Sequence, residues 1–206
     1  GVHKTFTQEE RDYFLGGKNI ENIDTMIEWS MAIIKFMKDY HEKNRKLLDE
    51  FAAFPSGHLG MVNDAGGLDL YDGKLRAIDS EGNRTLDDIS TDLYEEYFSE
   101  AVAQWSYMKF PYLKKVGREK GWNRVGPLAR INMCDFITTP LAEKERQEFI
   151  AFTGSKVNNS TMYSHWARLI EVLHCAEEMK ILLNDPELFG NDLVRSGTPR
   201  LKGIGI

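Results

Sequence analysis

Apolar positions along the first quarter of the chain recur at three- and four-residue intervals. Ile20, Ile23, Ile27, Met31, Ile34 and Met37 form one stripe, which resumes at Leu47, Leu48 and Phe51. That period is the mark of an amphipathic helix with one face on a core. The pattern predicts a long helix from about Asn19, with Lys38 to Lys46 as its solvated part, stopped by Pro55-Ser56-Gly57. Ahead of it, Thr7-Gln8-Glu9-Glu10 reads as a capping box that opens a short helix ending near Gly16-Gly17. The pattern then changes. His58 to Val62, Leu68 to Tyr71 and Leu75 to Ile78 are short strand candidates. Asp72-Gly73 is a type I′ hairpin signal between the last two, and Asp79 to Asn83 is a second turn. Helical patterning returns at Thr91 to Val102. An aromatic, extended stretch spans Trp105 to Lys115, interrupted by Pro111. Thr139-Pro140 opens a further helix, closed by Gly154, and a last long helix spans Thr161 to Leu183 before Asp185-Pro186. Near the end, Leu201, Ile204 and Ile206 look like the start of a strand.

The predicted class is α+β, mainly α-helical, with a small antiparallel β-meander. Helices fill 1–53, the meander 54–86 and a mainly helical core 87–206. Nothing alternates as a doubly wound parallel sheet would. The 206 residues, 42% of them hydrophobic, suffice for one sizeable core. A net charge of -6 argues against nucleic-acid binding, and no apolar run is long enough to span a bilayer. The two cysteines, Cys134 and Cys175, are far apart in sequence and make no disulfide framework, which favours a reducing, cytoplasmic setting.

The residues alone carry little chemistry. Neither cysteine has a second one nearby, and each is expected to be a small buried hydrophobe. His165 and His174 are expected to be hydrogen-bonded core histidines on the last helix. Gly60, Gly66, Gly67 and Gly73 read as strand and turn glycines. Glu100 and Lys109 flank the aromatic run at Trp105 and Tyr107. They could be a structural pair or part of a site, and the residues favour structure.

Longer strings are more specific. Trp105-Ser106-Tyr107-Met108-Lys109-Phe110-Pro111-Tyr112 is followed by Arg124-Val125-Gly126-Pro127-Leu128-Ala129-Arg130-Ile131-Asn132. Together with Phe54-Pro55-Ser56-Gly57-His58-Leu59-Gly60, Leu70-Tyr71-Asp72-Gly73 and Ala167-Arg168-Leu169-Ile170-Glu171, they resemble the nickel–iron hydrogenases. The likeness is to the central segment of the large, catalytic subunit of the cytoplasmic branch, and covers nearly the whole chain.

The resemblance implies a single piece of a larger subunit whose whole form reversibly oxidises dihydrogen. It implies a nickel–iron centre and magnesium in that whole form, with the four metal-binding thiolates in two Cys-x-x-Cys pairs outside this chain. No catalytic residue, cofactor ligand or direct metal ligand is therefore expected here, and the chain alone should be inactive. By motif position, Glu100 and Lys109 would hydrogen-bond the waters of the magnesium site. They would face one polar hollow without a direct salt bridge, while Arg124 and Arg130 would be structural. Implied partners are electron-acceptor subunits and an iron–sulfur small subunit, with no nucleic acid and no membrane. Exposed core faces, the tail or the Ile20–Met37 stripe, would let the chain self-associate. Two alternatives stay open: a metal-free hydrogenase-like subunit of a quinone oxidoreductase related to complex I, and a helical interaction module without chemistry.

Overall fold

A computed structural model describes residues 5–16, 22–191, 197–199 and 201. Helices α1 (Gln8–Leu15), α2 (Ile23–Lys43) and α3 (Arg45–Glu50) lead into strands β1 (Gly57–Val62), β2 (Leu68–Asp69), β3 (Lys74–Ile78) and β4 (Arg84–Ile89). Helix α4 (Tyr94–Tyr97), strands β5 (Phe98–Val102), β6 (Lys109–Leu113) and β7 (Asn123–Arg124), and helices α5 (Pro127–Met133), α6 (Pro140–Thr153) and α7 (Ser164–Leu183) follow. The class is α+β.

The capping box forms as expected. The Thr7 hydroxyl accepts from Glu10 N at 3.2 Å and the Glu10 carboxylate accepts from Thr7 N at 2.8 Å. The α2 stripe faces inward, with Ile23 and Ile34 buried and Ile27, Met31 and Met37 packed on the main core. Ile20 lies outside the described residues, as do Ile204 and Ile206. The single long helix is broken at Asn44, whose φ of -116° and ψ of 16° leave the helical region. The stretch expected to be solvated is not wholly so. His41 is buried against Tyr163 and Trp166, and Lys38 pairs with buried Glu145 at 2.5 Å. Amphipathic lysine can bring its stem to a core edge while its ammonium finds a carboxylate.

The sheet corrects the meander. Its order is β2-β1-β3-β4, so β1 is central, and β7 joins β1 in parallel through Gly57↔Asn123 and His58↔Arg124. The Asp72-Gly73 hairpin does not form, because β2 and β3 both pair with β1 instead of with each other. Neither Asp72 nor Gly73 has the positive φ that a type I′ turn needs. The Asp69 carboxylate instead accepts from Tyr71 N and Asp72 N, both at 2.8 Å, and folds the turn locally. The second turn holds: Asp79 accepts from Glu81 N and Asn83 N at 2.9 Å, with Gly82 at φ +92°.

The helix expected over Thr91–Val102 is also corrected. It is a 3-10 turn at Thr91–Leu93, the single turn of α4, and then β5, which pairs antiparallel with β6 from Phe98↔Leu113 to Val102↔Lys109. Phe98 and Ala101 are buried while Glu100 and Val102 face out, so pairing across the hairpin overrides local helix propensity. Pro111 is accommodated because this ribbon has two strands and its outer edges need no ladder donor. Within the expected helical core of 87–206, residues 98–113 thus form a two-stranded ribbon, and helices α5, α6 and α7 follow it.

The main core joins α2, α5, α6 and α7 around Phe149, Tyr163, Trp166, Ile170 and Leu173. Trp166 meets the edges of Phe149 and Phe152 at 5.3 Å, a favoured aromatic geometry. Helix α6 ends at Gly154, whose φ of +68° supplies the left-handed cap. A smaller cluster, Leu75, Ala77, Leu86, Phe98 and Leu113, holds the ribbon to the sheet.

Candidate functional site

Two of the motif segments, Phe54 to Gly60 and Arg124 to Asn132, meet where β1 and β7 pair. Gly57 lies on the Asn123 register, and a side chain there would strike Asn123 Oδ1 at 2.2 Å, so the position requires a bare Cα. His58, the next residue, is fully buried. Its ring lies 3.4 Å from Asn159 Oδ1 and 3.4 Å from Asn132 Nδ2. Burial, with the Arg124 charge nearby, lowers its pKa to about 4 despite the Asn159 contact, so the ring is neutral near pH 7. Asn132 comes from α5, a helix the periodicity does not reveal. Its start, Gly126-Pro127, has glycine at φ +89° as cap and proline at the first position.

Arg124 spans the same junction. Its Nε donates to Ser56 Oγ at 2.8 Å, Nη1 to Thr161 Oγ1 at 3.1 Å and Nη2 to the Phe54 carbonyl at 3.1 Å, and the guanidinium lies 4.0 Å from the Phe54 ring centroid. It therefore ties three segments together. A cleft of about 840 Å³ opens beside it, lined among others by Phe54, Ser80, Leu113, Lys120 and Trp122. Arg130 makes a two-point contact with Glu171, Nε to Oε1 at 2.6 Å and Nη2 to Oε2 at 2.8 Å, which clamps α5 to α7. Both arginines hold structure, as expected.

Glu100 and Lys109 lie on facing strands near the loop end of the ribbon. Lys109 Nζ donates to Glu100 Oε2 at 2.6 Å, and the side chains are 45% and 62% exposed. The expected separation across a hollow is corrected to a direct, solvent-facing ion pair, because residues on paired strands at this offset are within reach of each other. Trp105, Tyr107 and Met108 beside them are exposed too. Phe110 connects this patch to the cleft, 5.5 Å from Trp105 and 6.1 Å from Trp122.

Of the two cysteines, Cys134 is buried as expected, and desolvation pushes its thiol up to about 12. Cys175 is exposed, contrary to expectation. Among the histidines, His174 is buried with Nδ1 2.9 Å from Thr139 Oγ1, whereas His165 is exposed. Among the described residues no group of three or more His, Cys, Asp or Glu side chains could hold a metal ion. The described residues therefore do not fit as direct ligands of a nickel–iron centre.

Sequence reasoning passes over a charge cluster built around one buried arginine. Arg76, 5% exposed, donates to Asp87 at 2.7 Å and Asp135 at 2.9 Å, and Arg84 reaches the same two carboxylates. Burial raises the Asp135 pKa, but Arg76 and Arg84 more than offset this and hold it below the ordinary range. Every partner here is an ordinary surface residue type, so only the fold brings them together.

The chain is similar to hydrogenase subunits over its whole length. No family model matches it. It is 40% identical over 210 residues, all of this chain and 43% of the relative, to the NAD-reducing hydrogenase HoxS subunit beta of Cupriavidus necator. It is 37% identical, over 47% of the relative, to the A-type subunit of the vhu F420-non-reducing hydrogenase of Methanococcus voltae. It is 33% identical, over 43% of the relative, to the A-type iron-sulfur subunit of the F420-non-reducing hydrogenase of Archaeoglobus profundus. Among solved structures, a chain of an NAD+-reducing [NiFe]-hydrogenase in the H2-reduced state superposes with a TM-score of 0.87 at 38% identity, over 97% of this chain and 43% of that one. The chain thus spans a little under half the length of the relatives it matches. The large-subunit assignment does not stand against these names. They specify beta and A types, one of them an iron-sulfur subunit, and none is that of a large or catalytic subunit. The likeness is to hydrogenase subunits of the beta and A types.

Proposed function

We propose that this chain is part of a hydrogenase subunit, and that the assembled enzyme interconverts dihydrogen with protons and electrons. The observation that carries this is the agreement of fold and sequence with the NAD+-reducing hydrogenase chain, 0.87 in TM-score at 38% identity. The chain's own contribution is a rigid protein frame. The Arg130–Glu171 clamp, the Arg124 tie and the Arg76 cluster fix its elements without flexible charged ends. A nickel–iron centre in the assembled enzyme would have its ligands outside the described residues, so no step is derived through it, and the chain alone is inactive. Its partners would be the subunits that carry electrons away, and the quinone-linked alternative gains no support from the relatives' names. Two free cysteines support a reducing, cytoplasmic setting. Disrupting the gene should abolish hydrogen-dependent dye reduction in the cells, and an intact copy should restore it; unchanged hydrogen uptake in the disrupted strain would contradict the proposal.

We further propose that Glu100 and Lys109 hydrogen-bond water around a magnesium ion held from elsewhere in the assembly. The two residues do not form a metal site themselves: they offer one carboxylate, and an ammonium already engages it. Their position at the exposed end of the ribbon, beside an uncovered aromatic patch, supports contact with another part of the enzyme. Glu100→Gln in the assembled enzyme should lower turnover roughly 10–100-fold and reduce bound magnesium. As an exposed ion pair alone, its loss should cost less than about 1 kcal/mol and leave activity and magnesium unchanged.

A further inference from the structure

The cleft beside Arg124 carries positive charge that the fold leaves uncompensated. Arg76, Arg130 and Arg146, also withdrawn from solvent, each engage a carboxylate. Arg124 does not: its three contacts go to neutral oxygens of Ser56, Thr161 and Phe54. Those contacts leave part of its donor fork unused. Burial lowers its pKa, and among the described residues no carboxylate offsets that. Its field reaches His58, whose pKa it helps to lower. Lys120 is a second cation on the cleft wall, exposed and in no ion pair among the described residues. Two carboxylates also border the cleft, and neither answers these charges. Asp79 is engaged by Glu81 N, Asn83 N and the Asn83 side chain, while Glu119 is exposed and pairs with neither cation.

The other walls are apolar or flat. Ile78 and Leu113 contribute buried aliphatic side chains, and Phe54 and Trp122 contribute rings that are 53% and 54% exposed. Both rings are held in place. Phe110 lies nearly parallel to Trp122 with centroids 6.1 Å apart, and the Arg124 guanidinium sits over Phe54. A ligand meeting them has little left to order. Small-molecule sites are concave, mainly apolar, furnished with a few convergent polar groups, and roughly 300–1,000 Å³ in volume. The cleft, at about 840 Å³, has that size and make-up. We propose that it binds a small organic anion, with a carboxylate or phosphate on Arg124 and Lys120 and a flat apolar body against Phe54 and Trp122. Guanidinium is suited to either oxyanion. A bare inorganic ion would leave the two rings uncovered, and a neutral apolar molecule would leave the two cations unanswered. Such a site goes beyond the hydrogenase reading and stands without it.

The test titrates 2-naphthoate, neutral 2-naphthamide and inorganic phosphate separately into the 206-residue chain. The readout is the Trp122 indole N–H resonance, with buried Trp166 as the internal control. Naphthoate should bind with a Kd on the order of 1 mM or below, moving the Trp122 signal and leaving Trp166 in place. The amide should bind about 10-fold more weakly, because it offers the cations no charge. Phosphate should bind more weakly than naphthoate as well. Arg124→Gln also unties three segments, so the deciding variant is Lys120→Gln on the exposed wall. It should weaken naphthoate roughly 2–5-fold and leave the amide unchanged. Equal affinity for acid and amide would reduce the cleft to an apolar surface and overturn the proposal. Phosphate binding as tightly as naphthoate would make it an inorganic-ion site and overturn it too, as would no saturable binding up to about 10 mM. In the assembled enzyme naphthoate should bind with the same affinity. Its exclusion there would give the cleft to a polypeptide segment and sink the proposal, while hydrogen-dependent dye reduction by the same assembly would leave the functional reading intact.

Discussion

His58 shows how a side chain's surroundings set its chemistry. Unfolded, it titrates near 6.5; folded, burial lowers that to about 4. A histidine whose folded pKa is depressed costs stability as pH falls, because the unfolded chain takes up the proton first. The loss should begin as pH drops below 6.5 and be complete near 4, amounting to ~3 kcal/mol at most. Chemical denaturation at intervals between pH 7 and 4.5 should show this slope, and His58→Gln should reduce it to the part left by buried His41 and His174, whose folded pKa values burial also lowers. A ring resonance of His58 titrating near its unfolded value in the folded protein would contradict the assignment. Below that range the Asp87 and Asp135 pairs with Arg76 add a further loss, since their folded pKa values are also lowered. At this scale the sequence was a partial guide. Arg124 and Arg130 stood out within their motifs, but the Asn132 and Asn159 side chains that flank His58 come from a helix and a loop far away in the chain. Nothing local in an asparagine announces a buried partner.

Elements with their own start and stop chemistry were legible, and those made by pairing were not. Thr7, Pro140 and Gly154 each act within one turn of where they sit, and their helices formed as expected. The β5–β6 ribbon and the β1–β7 contact depend on distant partners, so Thr91–Val102 read as helix and β7 went unseen. Helix α6 combines both kinds of control. Thr139 occupies its cap position, yet its hydroxyl turns to His174, and the Glu177 carboxylate of α7 accepts from Leu141 N at 3.0 Å and Ala142 N at 2.9 Å instead. An anion at a helix N-terminus also meets the favourable end of its dipole. Glu177→Ala should therefore cost about 2 kcal/mol, more than an ordinary surface change, by leaving the buried Ala142 donor and the part-buried Leu141 donor without their acceptor. Glu177→Gln keeps an acceptor and should cost about half as much. Thermal melts of the two variants test this, and equal stability of wild type and Glu177→Ala would refute the capping role.

Across the whole molecule, the surface tells against a free-standing body. Of the Ile20–Met37 stripe expected to mediate self-association, the described part from Ile23 to Met37 is spent on the core. A different face of α2 is open: Trp29, Ile33, Phe36 and Tyr40 are 52%, 50%, 67% and 44% exposed. Apolar patches of this kind promote association. The chain should therefore self-associate at high concentration through this face, and Ile33→Glu with Phe36→Glu should restore a monomer by light scattering without lowering the melting temperature. A monomeric wild-type chain at the same concentration would contradict this. The same openness, together with the uncovered aromatic ribbon tip, fits a chain that works only inside an assembly. The most direct test of that central claim is to purify the assembly through a tag on this polypeptide and measure hydrogen-dependent viologen reduction beside the 206-residue chain alone. The account predicts hydrogen oxidation by the assembly and none by the isolated chain; a complete, metal-loaded assembly that leaves the dye oxidised under hydrogen would contradict it.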